Sequence, residues 1–166
     1  MNTYLDSINK QFEYYKMLGE KTFEQIHEEK LFWQPNKSSN SISMIVQHLN
    51  GNMLSRWTEF LSTDGEKEWR KRDEEFDNDI NNKSDLMSKW NEGWECLFHA
   101  INSLTEEDLE KEVYIRNMGH TVIEAINRQL AHYSYHIGQL VFIGKIIQNE
   151  HWDSLSIPKD KSKAYT

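Results

Sequence analysis

Residues 131–139 read Ala131-His132-Tyr133-Ser134-Tyr135-His136-Ile137-Gly138-Gln139 and lie inside a long segment with helical periodicity and no proline. Two histidines four residues apart lie one above the other on one face of an α-helix, because each turn contains about 3.6 residues. Two imidazoles placed in this way can bind a single metal ion side by side. The pair therefore predicts a metal site on a helix, with a third ligand supplied by another element.

A second amphipathic segment offers His48 as that third ligand. Its apolar residues form a continuous arc of Ile42, Ile45, Val46, Leu49, Met53, Trp57 and Phe60. His48 falls just beside this arc, so we expect it at the rim of the core and not at its dry centre. Three neutral imidazoles suit zinc, nickel, copper or iron, and do not suit magnesium or calcium. The alternative is a set of partly buried histidines with ordinary hydrogen bonds.

The hydrophobic periodicity predicts four long helices, over residues 4–27, 41–61, 84–103 and 121–148. Coil joins them, and residues 111–118 suggest an extended connector or a small hairpin. Four such helices indicate an all-α four-helix bundle, formed by one domain over residues 1–166. The charged connection over residues 62–83 is long enough to cross the bundle. We expect either a lid or binding loop, or a short surface helix held down by Trp69 and Phe76.

The composition excludes several classes of protein. The net charge is −8, and no basic stripe is concentrated enough to predict nucleic-acid binding. No apolar run approaches the length that spans a membrane, and the N-terminal residues do not resemble a signal peptide. The single cysteine, Cys96, permits no intramolecular disulfide and is compatible with a reducing compartment. We therefore expect a cytoplasmic protein.

The residues between the two histidines exclude one kind of metal chemistry. Zinc proteases of the H-E-x-x-H type carry a glutamate next to the first histidine as general base. Tyr133 occupies that position here, and no acidic residue lies between His132 and His136. A three-histidine site with an open fourth position can still lower the pKa of bound water. The same position can instead take a thiolate, which stays deprotonated at neutral pH.

The chain resembles the DinB-like (DinB/YfiT-type) family of metalloenzymes. The resemblance rests on H-x-x-x-H-x-x-Q in the last helix together with a lone histidine in the second helix. The stretch His48-Leu49-Asn50-Gly51-Asn52-Met53-Leu54-Ser55-Arg56-Trp57, followed by Thr63-Asp64-Gly65-Glu66, is similar to an uncharacterised bacillary subgroup of that family. The likeness covers nearly the whole chain, and the order and spacing of the histidines match.

The resemblance implies a four-helix bundle with an up-down-down-up course. It also implies that His48, His132 and His136 bind a divalent metal, most often zinc or nickel, and that the protein forms a homodimer. Characterised relatives are thiol-dependent S-transferases or isomerases that use low-molecular-weight thiols, and in bacilli that thiol is bacillithiol. The implied partners are thus a small-molecule thiol and an electrophile; no thiol-binding residue carries over, and the catalytic residues stay unknown.

Other polar residues near the predicted ligand faces are candidates for binding. Asn52, Gln129 and Gln139 are placed to orient a ligand or substrate, and solvated amides at a helix edge are the alternative. Arg56 is a candidate to bind an anionic thiol cofactor, with a surface ion pair as the alternative. Cys96 is flanked by aromatic and aliphatic residues, so we interpret it as a small core residue and not as a nucleophile.

Three functions remain open on the sequence. The first is a metal-dependent thiol S-transferase acting on small electrophiles, and the second is a metal-dependent hydrolase. The third is a non-catalytic bundle in which a metal stabilises the fold or a dimer. A further face of the last helix carries Ala131, Tyr135, Gly138 and Phe142, which predicts close packing against either another helix of the same bundle or a second copy of the chain.

Overall fold

The computed structural model describes residues 3–77 and 79–165, which form four long helices and one small hairpin. The helices are α1 (Tyr4–Gln25), α2 (Ile42–Trp57), α3 (Lys83–Asn102) and α4 (Val122–Gln148). The hairpin consists of β1 (Glu112–Ile115) and β2 (Met118–Thr121), which pair antiparallel. The predicted all-α four-helix class is confirmed, and the hairpin lies where the sequence suggested one.

Polar side chains begin every helix by accepting hydrogen bonds from the free N–H groups of its first turn. Thr3 and Thr121 do so as parts of capping boxes, Ser41 caps α2 and Asn82 caps α3. At Thr121 the side chain of Glu124 completes the box by accepting a hydrogen bond from the Thr121 backbone N–H at 2.8 Å.

The second helix is shorter than its apolar pattern predicted. It ends at Trp57, and Glu59 adopts the left-handed region with a φ of 50°. Phe60 nevertheless remains buried, because the turn that follows the helix folds it back against the core. The helical spacing of buried apolar residues therefore extends past the end of the helix itself.

Side-chain contacts establish the direction of each helix. α1 and α4 begin together, where the Tyr4 hydroxyl donates to Asn127 at 2.8 Å, and they end together, where Gln148 donates to the Gln25 carbonyl. α1 and α3 run in opposite directions, since Asn9 near the start of α1 bonds to Asn102 at the end of α3.

The other helices complete an up-down-down-up course. The side chain of Asn50 donates to the Lys89 carbonyl at 2.9 Å, and further along both helices Cys96 approaches the Met53 carbonyl at 4.0 Å. These contacts make α2 parallel to α3. The long connection over residues 58–82 permits this parallel pairing, which a short hairpin loop cannot make.

Aromatic side chains fill the centre of the bundle. Trp94 is fully buried and contacts the rings of Phe12, Trp90 and Tyr133. Cys96 is half-buried against this core, and burial raises the pKa of its thiol. The predicted packing role of Cys96 fits this position, because a thiol with a raised pKa is a poor nucleophile at neutral pH.

Among its described residues, the connection between α2 and α3 is a loop that packs over the bundle, with one 3-10 turn over Asp73–Phe76. This turn is too short to be the surface helix that the sequence offered as an alternative, and Trp69, which was expected to hold that helix down, is 56 % exposed. Phe76 instead stacks on His48, with ring centroids 5.2 Å apart. The loop therefore contributes directly to the surroundings of the predicted site.

Asp64 joins this loop to the hairpin. Its carboxylate accepts hydrogen bonds from the backbone N–H groups of Arg116 at 2.9 Å, Asn117 at 2.8 Å and Glu66 at 2.7 Å. Arg116 and Asn117 form the hairpin turn, with φ values of 55° and 61°. Partial burial on its own raises the pKa of Asp64, but the three N–H donors outweigh it and lower the pKa below its ordinary 3.8.

We expect Asp64→Asn to lower the free energy of unfolding by about 1 kcal/mol at pH 7, because an amide loses charge-assisted hydrogen bonds. The folded-state pKa is depressed, so this stabilisation is present above the unfolded-state pKa and is lost as the pH falls through the folded-state value. Urea unfolding at pH 7 and at successively lower pH should show the difference from wild type shrinking below about pH 4.

The matched control is Asp77→Asn, whose carboxylate has no hydrogen bond or ion pair to any described residue. An equal loss of stability in both variants at pH 7 would contradict the assigned role of Asp64.

Within the described residues, no helix combines the length and the apolar character needed to cross a membrane.

Candidate metal centre

Three imidazoles from two helices converge at one point beside the core. His48 projects from α2, and His132 and His136 project from successive turns of α4. Nε2 of His132 lies 3.4 Å from Nε2 of His48 and 3.1 Å from Nε2 of His136. One ring nitrogen from each of the three lies within 4.8 Å of those of the other two.

These separations fit a shared divalent ion. Nitrogen ligands about 2.0–2.1 Å from a tetrahedrally coordinated ion lie about 3.3–3.4 Å from one another. Two of the three nitrogen separations, 3.1 and 3.4 Å, are close to that value, and the third is within 4.8 Å, so side-chain adjustments would bring all three into coordination. The cluster could therefore hold a divalent metal, and imidazole ligands alone do not select which one.

Glu75 orients His48 through Nδ1, the ring nitrogen that does not face the cluster. Its Oε2 lies 2.8 Å from Nδ1 of His48, and both side chains are buried. A carboxylate can only accept here, so Nδ1 carries the proton and Nε2 presents its lone pair to the centre. A histidine held by a carboxylate in this way is a common arrangement around protein-bound metals.

Gln139 orients His136 in the same manner. Its Oε1 accepts a hydrogen bond from Nδ1 of His136 at 2.8 Å, while its amide NH2 donates to the hydroxyl of Tyr135 at 3.1 Å. With Nδ1 of His136 donating to the amide oxygen, its Nε2 presents a lone pair to the centre of the cluster. Gln139 therefore contacts a candidate ligand, as the sequence suggested, and is not a solvated amide at the helix edge.

The surroundings of His132 and His136 keep both imidazoles neutral. Burial, with added repulsion from His136 and His48, lowers the pKa of His132 to about 3. Burial is also the largest cause for His136, whose pKa falls to about 4. Both imidazoles are consequently unprotonated at neutral pH, which is the state that a metal ligand requires.

The loop between α2 and α3 supports the site through Glu75. Arg70 donates to this carboxylate twice, from Nε at 2.7 Å and from Nη2 at 3.0 Å, and its side chain is only 2 % exposed. Gly51 on α2 leaves room for this pair, because a Cβ atom there would collide with the carboxylate of Glu75. The loop and α2 therefore hold Glu75 in place, and Glu75 in turn orients His48.

A cavity of about 560 Å³ opens beside the histidines. The lining residues are His48, His132 and His136, all five arginines of the chain, and Asn40, Asn52, Phe76, Gln129 and Tyr135. No aspartate or glutamate lies among these described residues. A small molecule can therefore reach the face of the histidine cluster, but it meets no carboxylate that could serve as a general base.

The weaker candidates from the sequence also line the cavity. Asn52 accepts a hydrogen bond from the hydroxyl of Tyr133 at 3.0 Å, and Tyr133 accepts one from the indole of Trp57 at 2.9 Å. Gln129 is 2 % exposed, and its Oε1 has no hydrogen-bond partner among the described residues. Both amides are buried, so their interpretation as solvated groups is wrong.

Arg56 is buried and not on the surface, which corrects the alternative of a surface ion pair. Its Nη1 donates to the Gly65 carbonyl at 2.5 Å, and its Nη2 lies 3.6 Å from Glu66. The structure thus places Arg56 in the cavity wall, where an anionic group could meet it.

Sequence reasoning missed the support that the loop supplies. Glu75 is one of 27 acidic residues in the chain, and no local spacing distinguishes it. Arg70 and Arg72 stand in an equally ordinary charged stretch. The one available signal was the small number of arginines, five among 19 basic residues. This signal is informative only once the fold shows that the arginines lie together.

A model of the family described as a protein of unknown function (DUF1572) matches residues 1–161. The chain belongs to this family. Among curated proteins, none matches the chain. In this member of the DUF1572 family, the residues that could hold a metal are His48, His132 and His136.

Proposed function

We propose that this protein is a metal-dependent enzyme that transfers a low-molecular-weight thiol to a small electrophile. The observation that carries the proposal is a cluster of three imidazoles, two of them oriented by neighbouring side chains, that faces a cavity large enough for small molecules. A site that served only to stabilise the fold would be closed by a fourth protein ligand. The cavity supports catalysis over the non-catalytic alternative.

The chain's own residues have definite tasks in this proposal. His48, His132 and His136 would hold the ion, Glu75 and Gln139 keep two of the rings in the correct tautomer, and the cavity admits the reactants. A divalent ion, when bound, would supply the positive charge that keeps a thiol deprotonated at neutral pH. In the overall reaction the sulfur bonds to an electrophilic carbon, the thiol proton passes to solvent, and any leaving group departs with its bonding electrons.

The lack of a carboxylate in the cavity favours thiol transfer over hydrolysis. Hydrolytic zinc sites of the H-E-x-x-H type use a glutamate to take the proton of the attacking water. Glu75 is the nearest acid in contact with the cluster, and His48 and Arg70 already occupy its oxygens. A thiolate needs no such base, because its proton leaves before the attack.

The resemblance to the DinB-like metalloenzymes supports the same choice and suggests the reactants. By that resemblance the ion is zinc or nickel and the thiol is bacillithiol. Such thiols are kept reduced in the cytoplasm, so the proposal places the protein there.

The test uses protein purified without a histidine tag and loaded with zinc or with nickel. We expect the loaded protein to accelerate the consumption of bacillithiol by a chlorinated model electrophile, and His48→Ala to abolish this activity. His99→Ala is the matched control, since His99 is exposed on α3 and lies outside the cluster. Metal binding without any thiol consumption would favour the non-catalytic alternative, and ester hydrolysis without thiol would favour the hydrolase.

We also propose that the outer face of α4 pairs with a second copy of the chain. Ala131, Tyr135, Gly138 and Phe142 are all exposed, so packing against another helix of the same bundle is ruled out as their role. Tyr135 is 62 % and Phe142 is 65 % exposed, and no atom lies within 4 Å of a Cβ built at Gly138. Sedimentation at micromolar concentration should show a dimer that Phe142→Glu dissociates, and a wild-type monomer would remove the proposal.

A further inference from the structure

The cavity beside the histidines collects every arginine of the chain. The 19 basic residues include only five arginines, Arg56, Arg70, Arg72, Arg116 and Arg128. All five line this cavity, and none of the lysines does. They come from α2, from the loop, from the hairpin turn and from α4, so the fold and not the sequence order gathers them. In a chain with a net charge of −8, this concentration of cations calls for an explanation.

Internal ion pairs account for only part of this charge. Glu75 is taken by Arg70, and Glu66 lies within 4 Å of Arg56, Arg70 and Arg116. Two carboxylates thus face three of the five arginines. Positive charge therefore predominates among the residues that line the cavity, and this favours an anionic ligand.

The arginines at the cavity mouth are the least engaged. Arg128 is exposed and has no ion pair or hydrogen bond to any described residue. Arg72 is 52 % exposed, and the nearest carboxylate oxygen, on the fully exposed Asp73, is 4.0 Å away. Its guanidinium instead lies over the ring of Phe76, 5.7 Å from the centroid. These two cations are free to turn toward a ligand in the cavity.

Two buried polar groups in the cavity wall also lack partners. Nε of Arg56 and Oε1 of Gln129 are both inaccessible to solvent and have no hydrogen bond to a described residue. Arg56 is 4 % exposed, and burying such a donor without an acceptor destabilises the fold. These unpaired polar groups in the cavity wall lower the stability of the fold. Such groups are typical of a binding surface and not of a packing surface.

We propose that the cavity binds a small molecule with at least two anionic groups, carboxylates or phosphates, held by Arg128 and Arg72 at the mouth. Guanidinium groups match such anions through paired hydrogen bonds, which explains the use of arginine and not lysine. The volume of about 560 Å³ suits one such molecule. This inference rests on the proposed function, and it assigns the multiple negative charges to the thiol or its acceptor.

Calorimetry on the full chain, with the bound metal measured and held constant, tests the proposal. The probes are tricarballylate for carboxylates, inorganic pyrophosphate for phosphates, and tricarballylamide as the uncharged control. We expect at least one anion to bind more tightly than the amide, and the better of the two identifies the class of anion. Equal binding of the amide and both anions would overturn the proposal.

Variants then locate the bound anion. Arg128→Gln should weaken anion binding about tenfold or more, because a charge-assisted hydrogen bond is lost, and Arg128→Lys should weaken it less. Lys145→Gln is the matched control, since it removes one exposed cation from the same helix without touching the cavity. An equal effect of Arg128→Gln and Lys145→Gln would overturn the proposal.

His132→Ala separates this inference from the proposed function. Anion binding that persists in this variant depends on the arginines and supports the inference, even if no thiol activity is ever found. Anion binding that disappears in His132→Ala but survives in Arg128→Gln assigns the anion to the metal and overturns the inference.

Discussion

Replacement of His132 by alanine is expected to weaken the binding of a divalent ion by about a hundredfold or more. Loss of a residue that merely orients a ligand already costs about 10–100-fold in metal affinity, and loss of the ligand itself costs at least as much. His132 is the central member of the cluster, because its Nε2 lies within 3.4 Å of the Nε2 atoms of both other histidines. The helical fold should persist, since His132 is only half-buried.

Two measurements check this expectation. The metal content of the dialysed protein should fall from about one ion per chain to near zero. The rise in melting temperature that added metal produces should also vanish, because an ion at a hundred times its Kd stabilises the folded state by about 2.7 kcal/mol. His99→Ala should behave as wild type in both assays. A wild-type metal content and thermal shift in His132→Ala would disprove the three-histidine site.

Replacement of Glu75 by alanine is expected to affect both stability and metal binding. The variant leaves the buried guanidinium of Arg70 without its bidentate partner, with only Glu66 at 3.4 Å remaining. Removing one member of a buried ion pair costs about 3–5 kcal/mol, and the remaining contact to Glu66 places the expected loss near 3 kcal/mol. His48 also loses the acceptor for its Nδ1 proton, so metal affinity should fall about 10–100-fold.

A double-mutant cycle separates these two effects. Arg70→Ala together with Glu75→Ala removes both charges, and urea unfolding should show that the double variant is more stable than Glu75→Ala alone. Metal affinity should stay low in the double variant, because the orientation of His48 is still lost. If Glu75→Ala and the double variant unfold at the same urea concentration, the loss of stability does not come from the unpaired charge of Arg70.

A third variant tests the position of the carboxylate without altering its chemistry. A Cβ atom at Gly51 would collide with Glu75, so Gly51→Ala must displace the acid from its present position. We expect a smaller decrease in metal affinity than in Glu75→Ala, since the displaced carboxylate can still approach His48. This comparison distinguishes the placement of Glu75 from its presence.

Local pattern was sufficient for the helices and for the candidate metal ligands. Apolar residues repeating at the helical period and polar caps such as Thr121 are properties of a few neighbouring residues, and such signals survive in the sequence alone. His132 and His136 are four residues apart, so the helix itself places them on one face. His48 could be assigned because α2 carries it at the edge of an apolar arc.

Local pattern was insufficient where the backbone left regular structure. The apolar spacing of α2 continues to Phe60, but the turn at Glu59 ends the helix earlier. The loop over residues 58–82 has no periodicity, so the sequence could not distinguish a surface helix from a segment that packs on the site. Burial of Arg56, Arg70 and Glu75 depends on contacts between distant segments. A charged stretch of sequence does not indicate which contacts it will make.

The sequence by itself determined an all-α bundle and the three histidines, because helical periodicity and i, i+4 spacing act within single elements. Only the tertiary structure decided which carboxylate supports His48 and that five arginines share one cavity. Glu75 is 27 residues from His48, and Arg128 is 72 residues from Arg56. Charged groups so far apart in the chain have no preferred spacing, and they meet only because the packing of four helices and one loop places them around the same space.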